Sequence, residues 1–348
     1  MKEIPPLFRL SSYDYELPEE LIAQYPSKER SESRLLVLKR PKGELTHHRR
    51  FREITRYFRP GDLLVVNDSR VFPARLYGRK ETGGRIEVLL LRLPEKGGPV
   101  PALLRGRRPR PGLKIFFEKG LFAEVLELLE GGKVLLRLEA EGDILKLLEE
   151  IGHVPLPPYI RRPDQVEDLF RYQTVYARKP GSVAAPTAGF HFSQELLKEL
   201  EEIGVKILSV TLHVGYGTFA PVKTEDIREH RLHEEYVEIS EDTAQAINQA
   251  KEEGRKVFAV GTTTLRALEF AGREGRVKGI SSWCGLFIYP GFSFKVVDHL
   301  ITNFHLPRSS LLILVAAFAG LENIKKAYRE AIKRRYRFFS YGDAMLIL

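Results

Sequence analysis

The sequence predicts an α/β fold: a mixed-sheet, three-layer, Rossmann-like α/β domain with an inserted small antiparallel β-barrel domain. Three observations carry this. Apolar runs of strand length alternate with helical patterns near the amino terminus and again beyond residue 193. Between them, short strand-like runs follow one another at near-regular spacing, separated by glycine- and proline-rich turns. No period of a solenoid or propeller recurs. The 348 residues suffice for two cores at about 100–200 residues per domain. The expected division is 1–70 plus 152–348 for the α/β domain and 71–151 for the barrel, with three consecutive units as the alternative.

In chain order, Pro18 starts a short helix with acids in its first turn. SRLLVLKR (33–40) reads as a strand, FREITRYF (51–58) as a helix, and DLLVVND (62–68) as a buried strand. Between Val71 and Leu138 the runs VFPARLYGRK, GRIEVLLLRL, VPALLR, KIFF, LFAEVLELL and KVLLRLEA are strands, parted by ETGG, EKGG, RPRPG, EKG and EGG. A helix over 143–152 stops at Gly152, and HVPLPPYIRRP is an extended connection. Ser193 caps a helix that Gly204 ends. VKILSVTLHV (205–214) is a strand, 241–253 a helix, and KVFAVG (256–261) a strand entering a helix near Leu265–Phe270. LLILVAAFA is a buried helix and 323–336 an amphipathic one.

Composition excludes several classes. Hydrophobic residues at 43% and charged residues at 29% exclude wholesale disorder. A single cysteine, Cys284, excludes a disulfide framework and multi-thiolate metal sites. MKEIPPLFRL lacks the apolar core of a signal peptide, and Leu311–Ala319 is about half of a membrane span. A cytoplasmic protein with no membrane partner is expected. Lys and Arg number 55 against 46 Asp and Glu, a net charge of +9 that favours polyanions only weakly.

Ligands of open α/β sheets bind at strand carboxyl ends. Five segments combining Gly or Pro with polar groups fall there or just before a helix: 186–192, 212–219, 261–266, 302–309 and 339–343. Gly261-Thr262-Thr263-Thr264 offers peptide N–H groups to an anion, or simply a threonine cap. It is neither a P-loop nor GxGxxG. Gly215 and Gly217 allow a ligand close to the backbone, or simply make a glycine-rich turn. His191 and His213 are placed for acid–base work, with a hydrogen-bonded structural histidine as the equal alternative for each. His230 and His233 would share a helix face, a solvated or proton-handling one rather than a metal site. His47 and His48 read as surface, and Cys284 as turn-like. Basic clusters with aromatics, at 49–57, Arg105 to Arg110, 159–162, 171–179 and 333–337, suit phosphate contact and stacking on unpaired bases. These residues describe an α/β enzyme with RNA contacts and name no reaction.

Longer motifs do name one. YELPEELIAQYP, NDSRVFPARLYGRKETGGRIEVLLL, GHVPLPPYIRRPD, YQTVYA, APTAGFHF, TLHVGYGTF, EHRLHEEYVEI, AVGTTTLRALE, TNFHLPRSSLLILVAAFAG and RFFSYGDAMLI run nearly end to end. In order and wording the chain resembles the S-adenosylmethionine:tRNA ribosyltransferase-isomerases of queuosine biosynthesis. It differs at Phe190, Tyr216 and Leu232, where Leu, Ala or Gly, and Met are usual.

The resemblance implies a transfer in which S-adenosylmethionine, as co-substrate, donates its ribosyl group. The acceptor is 7-aminomethyl-7-deazaguanine at the wobble position of tRNA, and epoxyqueuosine-tRNA, adenine and methionine are formed. No tightly bound cofactor and no metal are implied, and a monomer engaging the anticodon arm is expected. The sulfonium acidifies C5′–H, so a base is needed there, and His191 or His213 is expected to supply it. Asp343 or Glu234 would lie near the sulfonium or the acceptor amine. Thr187, Gly215, Gly217, Thr262, Thr263 and Arg266 would hold the donor or a phosphate, and Asn303 and His305 would read a base edge. Arg161, Tyr172, Tyr176 and Arg178 would meet the anticodon arm. The rivals are a non-catalytic RNA-binding protein and a methyltransferase using the same donor.

Overall fold

The computed structural model describes residues 4–95, 98–106, 109–219 and 221–348. A nine-stranded mixed sheet is its spine, in the order Ile280–Cys284, Glu235–Ile239, Lys206–Leu212, Leu63–Asn67, Val257–Val260, His299–Asn303, Ala344–Ile347, Leu35–Lys39, Glu44–His48. The four central strands from Lys206 to Asn303 in that order are parallel, and antiparallel pairs close both flanks.

Strict alternation along these strands builds the layers. Leu36, Leu38, Val65, Val210, Leu212, Ala259, Leu300 and Met345 face one core, which the helices Glu241–Glu252, Thr262–Ala271, Ser310–Ala319 and Leu321–Lys333 cover. Their neighbours Leu35, Val37, Leu64, Val66, Phe258, Ile301 and Leu346 face a second core under helix Gln194–Glu202 and the 3-10 segment Phe51–Tyr57. With both faces buried, the strands read as continuous apolar runs. Side-chain caps start three helices: Ser193, as expected, accepts from the Leu196 N–H, and Asp143 and Ser309 likewise accept from Leu145 and Leu312.

The middle of the chain closes on itself. Six antiparallel strands between Arg75 and Glu139 form a barrel in the order Lys133–Glu139, Val100–Arg105, Arg85–Leu90, Arg75–Lys80, Lys114–Phe116, Phe122–Leu128. Leu76, Val88, Ala102, Ile115, Val125 and Leu136 fill its interior, and Leu148 of helix Ile144–Ile151 packs on the same core. Closure removes the exposed edges that so many short strands would otherwise present.

Three local expectations are corrected. His230 to Glu234 form no helix: a 3-10 turn ends at Glu229 and a strand begins at Glu235, so His230 and His233 share no helical face. Cys284 is not in a turn but ends the edge strand Ile280–Cys284, buried. His47 and His48 are half-buried on the strand Glu44–His48, bonded to the hydroxyls of Tyr336 and Tyr57 at 2.9 and 2.7 Å. Arg107 and Arg108 of the expected basic cluster lie outside the described residues.

Candidate active site

Parallel strands point their carboxyl ends one way, so the segments after Asn67, Leu212, Val260 and Asn303 emerge on one edge of the sheet. The antiparallel strand Ala344–Ile347 and its parallel neighbour Leu35–Lys39 bring their amino ends to that same edge. Two adjoining pockets lie there, the two lobes of the edge. The first is lined by Tyr159, Ala184–Ala188, Thr218, Gly261–Thr263, Thr302–Leu306, Ser309, Leu311, Phe339 and Ser340. The second is lined by Gly215, Gly217, Leu232–Glu235, Arg266, Phe287, Ile288, Ser310 and Leu314, and it shares Thr218 and Leu311 with the first.

Gly261 makes the turn into helix Thr262–Ala271 with φ +91°, a left-handed conformation open to glycine. It also corrects the threonine-cap reading, because Gly261 is itself the N-cap and no side chain caps this helix. The first peptide N–H groups of the helix therefore lie beside Thr262 and Thr263 at the crevice wall, an electropositive end. Asn67 locks this corner: its Nδ2 donates to the Leu212 carbonyl at 2.9 Å and to Thr263 Oγ1 at 3.3 Å, while its Oδ1 accepts from Leu212 N and Ser69 N.

Opposite, Thr187 Oγ1 donates to Asn303 Oδ1 at 3.1 Å, and the Asn303 amide donates to His191 Nε2 and to the Phe339 carbonyl, each at 3.1 Å. With Nε2 accepting, His191 keeps its proton on Nδ1 and donates it to Ser33 Oγ at 2.7 Å. Both nitrogens are thus spent, the ring packs on Phe51 at 5.1 Å, and the side chain stands behind the wall rather than in it. Burial, seconded by Arg337 and Arg30, pushes its pKa down to about 3.

A pH dependence follows. Below the ordinary value of 6.5 the unfolded chain binds a proton that folded His191 refuses, so this contribution is complete above pH 6.5 and is lost as pH falls towards 3. At about 1.4 kcal/mol per unit, His191 accounts for about 2 kcal/mol of lost stability at pH 5. Urea unfolding of wild type and His191→Gln at pH 7 and pH 5 checks this. The variant should lose about 2 kcal/mol less between the two pH values, and equal losses refute it.

His305 is the histidine that does line the first lobe. Its main chain is pinned on both sides: Tyr15 OH donates to its carbonyl, and its N–H donates to Tyr328 OH at 2.9 Å. Thr302 Oγ1 meets its Nε2 at 2.7 Å, and burial lowers its pKa to about 3, which keeps the imidazole neutral.

His213 does not line the crevice. Its Nδ1 bonds Ser69 Oγ at 2.7 Å, Ser69 bonds Ser182 Oγ at 2.6 Å, and Ser182 accepts from Val214 N at 2.8 Å, so it reaches the wall only through Val214. Its ring lies so close to Gly181 that a Cβ there would sit 2.6 Å from it. Burial lowers its pKa, opposed by Asp68 and Glu238. Asp343 is buried behind the first lobe, accepting from the peptide N–H groups of Arg34 and Arg337, each at 2.8 Å. It ties the 339–343 turn to the strand beside it. Glu234 is exposed and lines the second lobe.

Sequence reasoning missed Glu235. It starts a strand whose alternation turns Glu235, Val237 and Ile239 inward, and a carboxylate on a buried strand face was the available signal. Glu235 Oε2 accepts from Arg266 Nη1 at 2.6 Å, and its Oε1 accepts from Gly215 N at 2.9 Å and Thr218 Oγ1 at 3.0 Å. Arg266 Nε donates to the Leu286 carbonyl at 3.1 Å. One buried ion pair therefore holds the glycine loop 215–218 to helix Thr262–Ala271 at the join of the lobes.

The expected RNA contacts separate. Arg161 is exposed and forks onto Glu19 at 3.1 and 3.2 Å. Arg178 is exposed and bonds buried Asp68 at 3.0 Å. Tyr176 is half-buried, its hydroxyl turned inward against Gly189. Tyr172 is corrected: it is wholly buried against Phe190 and Tyr341 and has no ring face to offer a nucleobase. Among the described residues no group of three or more His, Cys, Asp and Glu is placed to hold a metal ion. No helix among them is long and apolar enough to cross a membrane.

A mixed α/β sheet with a crevice at its strand carboxyl ends, beside a barrel closed from the middle segment, is an architecture in which small ligands bind at that edge. The chain belongs to the queuosine biosynthesis protein family, whose model matches residues 10–347. It is 51% identical over 341 residues to the S-adenosylmethionine:tRNA ribosyltransferase-isomerase of Carboxydothermus hydrogenoformans, covering 98% of this chain and all of that one. It is 53% identical over 340 residues to the enzyme of that name from Aquifex aeolicus, with the same coverage. The crystal structure of the S-adenosylmethionine tRNA ribosyltransferase from Thermotoga maritima is similar over 97% of this chain and all of that chain, at 41% identity and a TM-score of 0.56.

Proposed function

We propose that this chain is an S-adenosylmethionine:tRNA ribosyltransferase-isomerase. It transfers and isomerises the ribosyl group of S-adenosylmethionine onto 7-aminomethyl-7-deazaguanine at the wobble position of tRNA, giving epoxyqueuosine-tRNA, adenine and L-methionine. The observation that carries the reading is the two-lobed crevice, in which Thr187, Thr262, Thr263, Asn303 and His305 come from distant parts of a chain about half identical to relatives of that name. The donor is a co-substrate, no tightly bound cofactor is invoked, and the enzyme acts as a cytoplasmic monomer on the anticodon arm. Residues 1–70 and 152–348 form the catalytic domain, with 71–151 inserted.

The residues divide the work. Thr262, Thr263 and the free helix end beside them bind the ribose hydroxyls or a phosphate. Asn303, with Thr187, reads a base edge. His305 assists adenine departure: in the tautomer in which Nε2 accepts from Thr302, Nδ1 carries the proton, and a neutral imidazole polarises the leaving base without repelling the cationic donor. His191 and His213 act through Asn303 and through Ser182 as positioning residues, and Asp343 positions the 339–343 turn. Glu234 faces the cationic part of the donor. Arg161, Arg178 and Tyr176 are offered to the anticodon arm, with phosphate contacts from the arginines.

Incubation with S-adenosylmethionine and an anticodon stem-loop bearing the aminomethyl base, followed by mass analysis, tests the reading. One adenine and one methionine should appear per modified RNA. S-adenosylhomocysteine as product would mean methyl transfer. Salt-sensitive RNA binding without turnover would mean a binding protein alone.

A further inference from the structure

We infer that the second lobe is a subsite for a zwitterionic α-amino acid with an unbranched apolar side chain, and so holds the methionine end of the donor. This rests on the reading of S-adenosylmethionine as donor. Arg266, nearly all buried, uses Nε on the Leu286 carbonyl and Nη1 on Glu235. Its Nη2 is buried with no hydrogen-bond partner among the described residues. That nitrogen has unspent donors in a site of low dielectric, with the Cys284 thiol as the other group beside the guanidinium, and a carboxylate oxygen is the stronger acceptor for it.

A second feature meets it in the same lobe. Ser310 and Leu311 open a ten-residue helix there. Ser309 takes the Leu312 N–H on its hydroxyl and the Ile313 N–H on its carbonyl. The N–H groups of Ser310 and Leu311 are left without a partner among the described residues, at the positive end of the helix.

The rest of the lobe fits the rest of such a ligand. Leu232, Phe287, Ile288 and Leu314 supply an apolar wall for methylene groups, and exposed Glu234 supplies a negative charge for the ammonium. Glu235 does not compete for that ammonium, because Arg266, Gly215 N and Thr218 already occupy its oxygens. Thr218 and Leu311 belong to both lobes, so a molecule with its nucleoside in the first and its amino acid in the second carries its sulfur at their join. After transfer, adenine and methionine would leave from different lobes.

Equilibrium binding of three compounds tests this: S-adenosylmethionine, its decarboxylated analogue and 5′-methylthioadenosine. Loss of the carboxylate should weaken binding about 10- to 100-fold, the range for hydrogen bonds to a charged group. Arg266→Lys keeps a cation for Glu235 but presents no fork. It should narrow the difference between S-adenosylmethionine and the decarboxylated analogue, the Ser310 and Leu311 N–H groups retaining the remainder, and an undiminished difference overturns the role of Arg266. Equal affinity of the wild type for the first two compounds overturns the subsite and leaves the donor reading intact. If none of the three binds, the donor reading itself fails. Should Arg266→Lys not fold, the ligand series on the wild type still decides.

Discussion

Glu235→Ala is expected to lower stability by about 3–5 kcal/mol and to abolish turnover, the largest stability effect of any single change at the site. The loss does not measure the worth of the pair. It comes from leaving the Arg266 charge buried without a counterion, and from freeing Gly215 N and Thr218 Oγ1, which share the same carboxylate. The double variant Glu235→Ala with Arg266→Met tests the cause. Removing the orphaned cation should recover part of the lost stability in urea unfolding, while activity stays absent because the glycine loop remains unanchored. A double variant no more stable than Glu235→Ala would show that the uncompensated charge is not the source.

His305→Ala is the substitution expected to affect the chemistry most. If its neutral imidazole donates to the departing adenine, single-turnover adenine release at saturating donor should fall about 100- to 1000-fold, as for loss of one preorganised donor. Donor affinity should change little, since the interaction strengthens as the bond breaks. His213→Ala, which touches the crevice only through Ser69, Ser182 and Val214, should stay within about tenfold of wild type, a loss of alignment rather than of a reacting group. A fall of less than tenfold in His305→Ala, or a larger fall in His213→Ala, would reverse the assignment of the two histidines.

Local physics made much of the fold legible. Leu63, Val65, Leu64 and Val66 alternate between two cores, and a strand buried on both faces shows in sequence as an uninterrupted apolar run. Ser193 and Asp143 mark helix starts because an oxygen one residue outside a helix meets a peptide N–H that the helix leaves free. Turn clusters at short intervals point to antiparallel pairing, and closure of those strands into a barrel spares them open edges. The misreading of His230 to Glu234 has a physical cause too. A three-residue spacing of histidines is compatible with a helix, but a strand begins at Glu235 and pairs with both Leu212 and its neighbours and the strand ending at Cys284.

The sequence by itself determined most element types, the two-faced sheet, the separate barrel and the set of loops that gather at one edge. All of these follow from interactions between residues a few positions apart or from a repeating pattern of burial. Only the tertiary structure decided which side chains in those loops face the crevice. His191 is turned away by Ser33, 158 positions distant, and by Asn303, 112 positions distant, whereas His305 is held at the surface of the lobe by tyrosines from near the amino terminus and from helix Leu321–Lys333. A histidine's place depends on which partners take its two nitrogens, and those partners arrive from segments whose nearness no local spacing encodes.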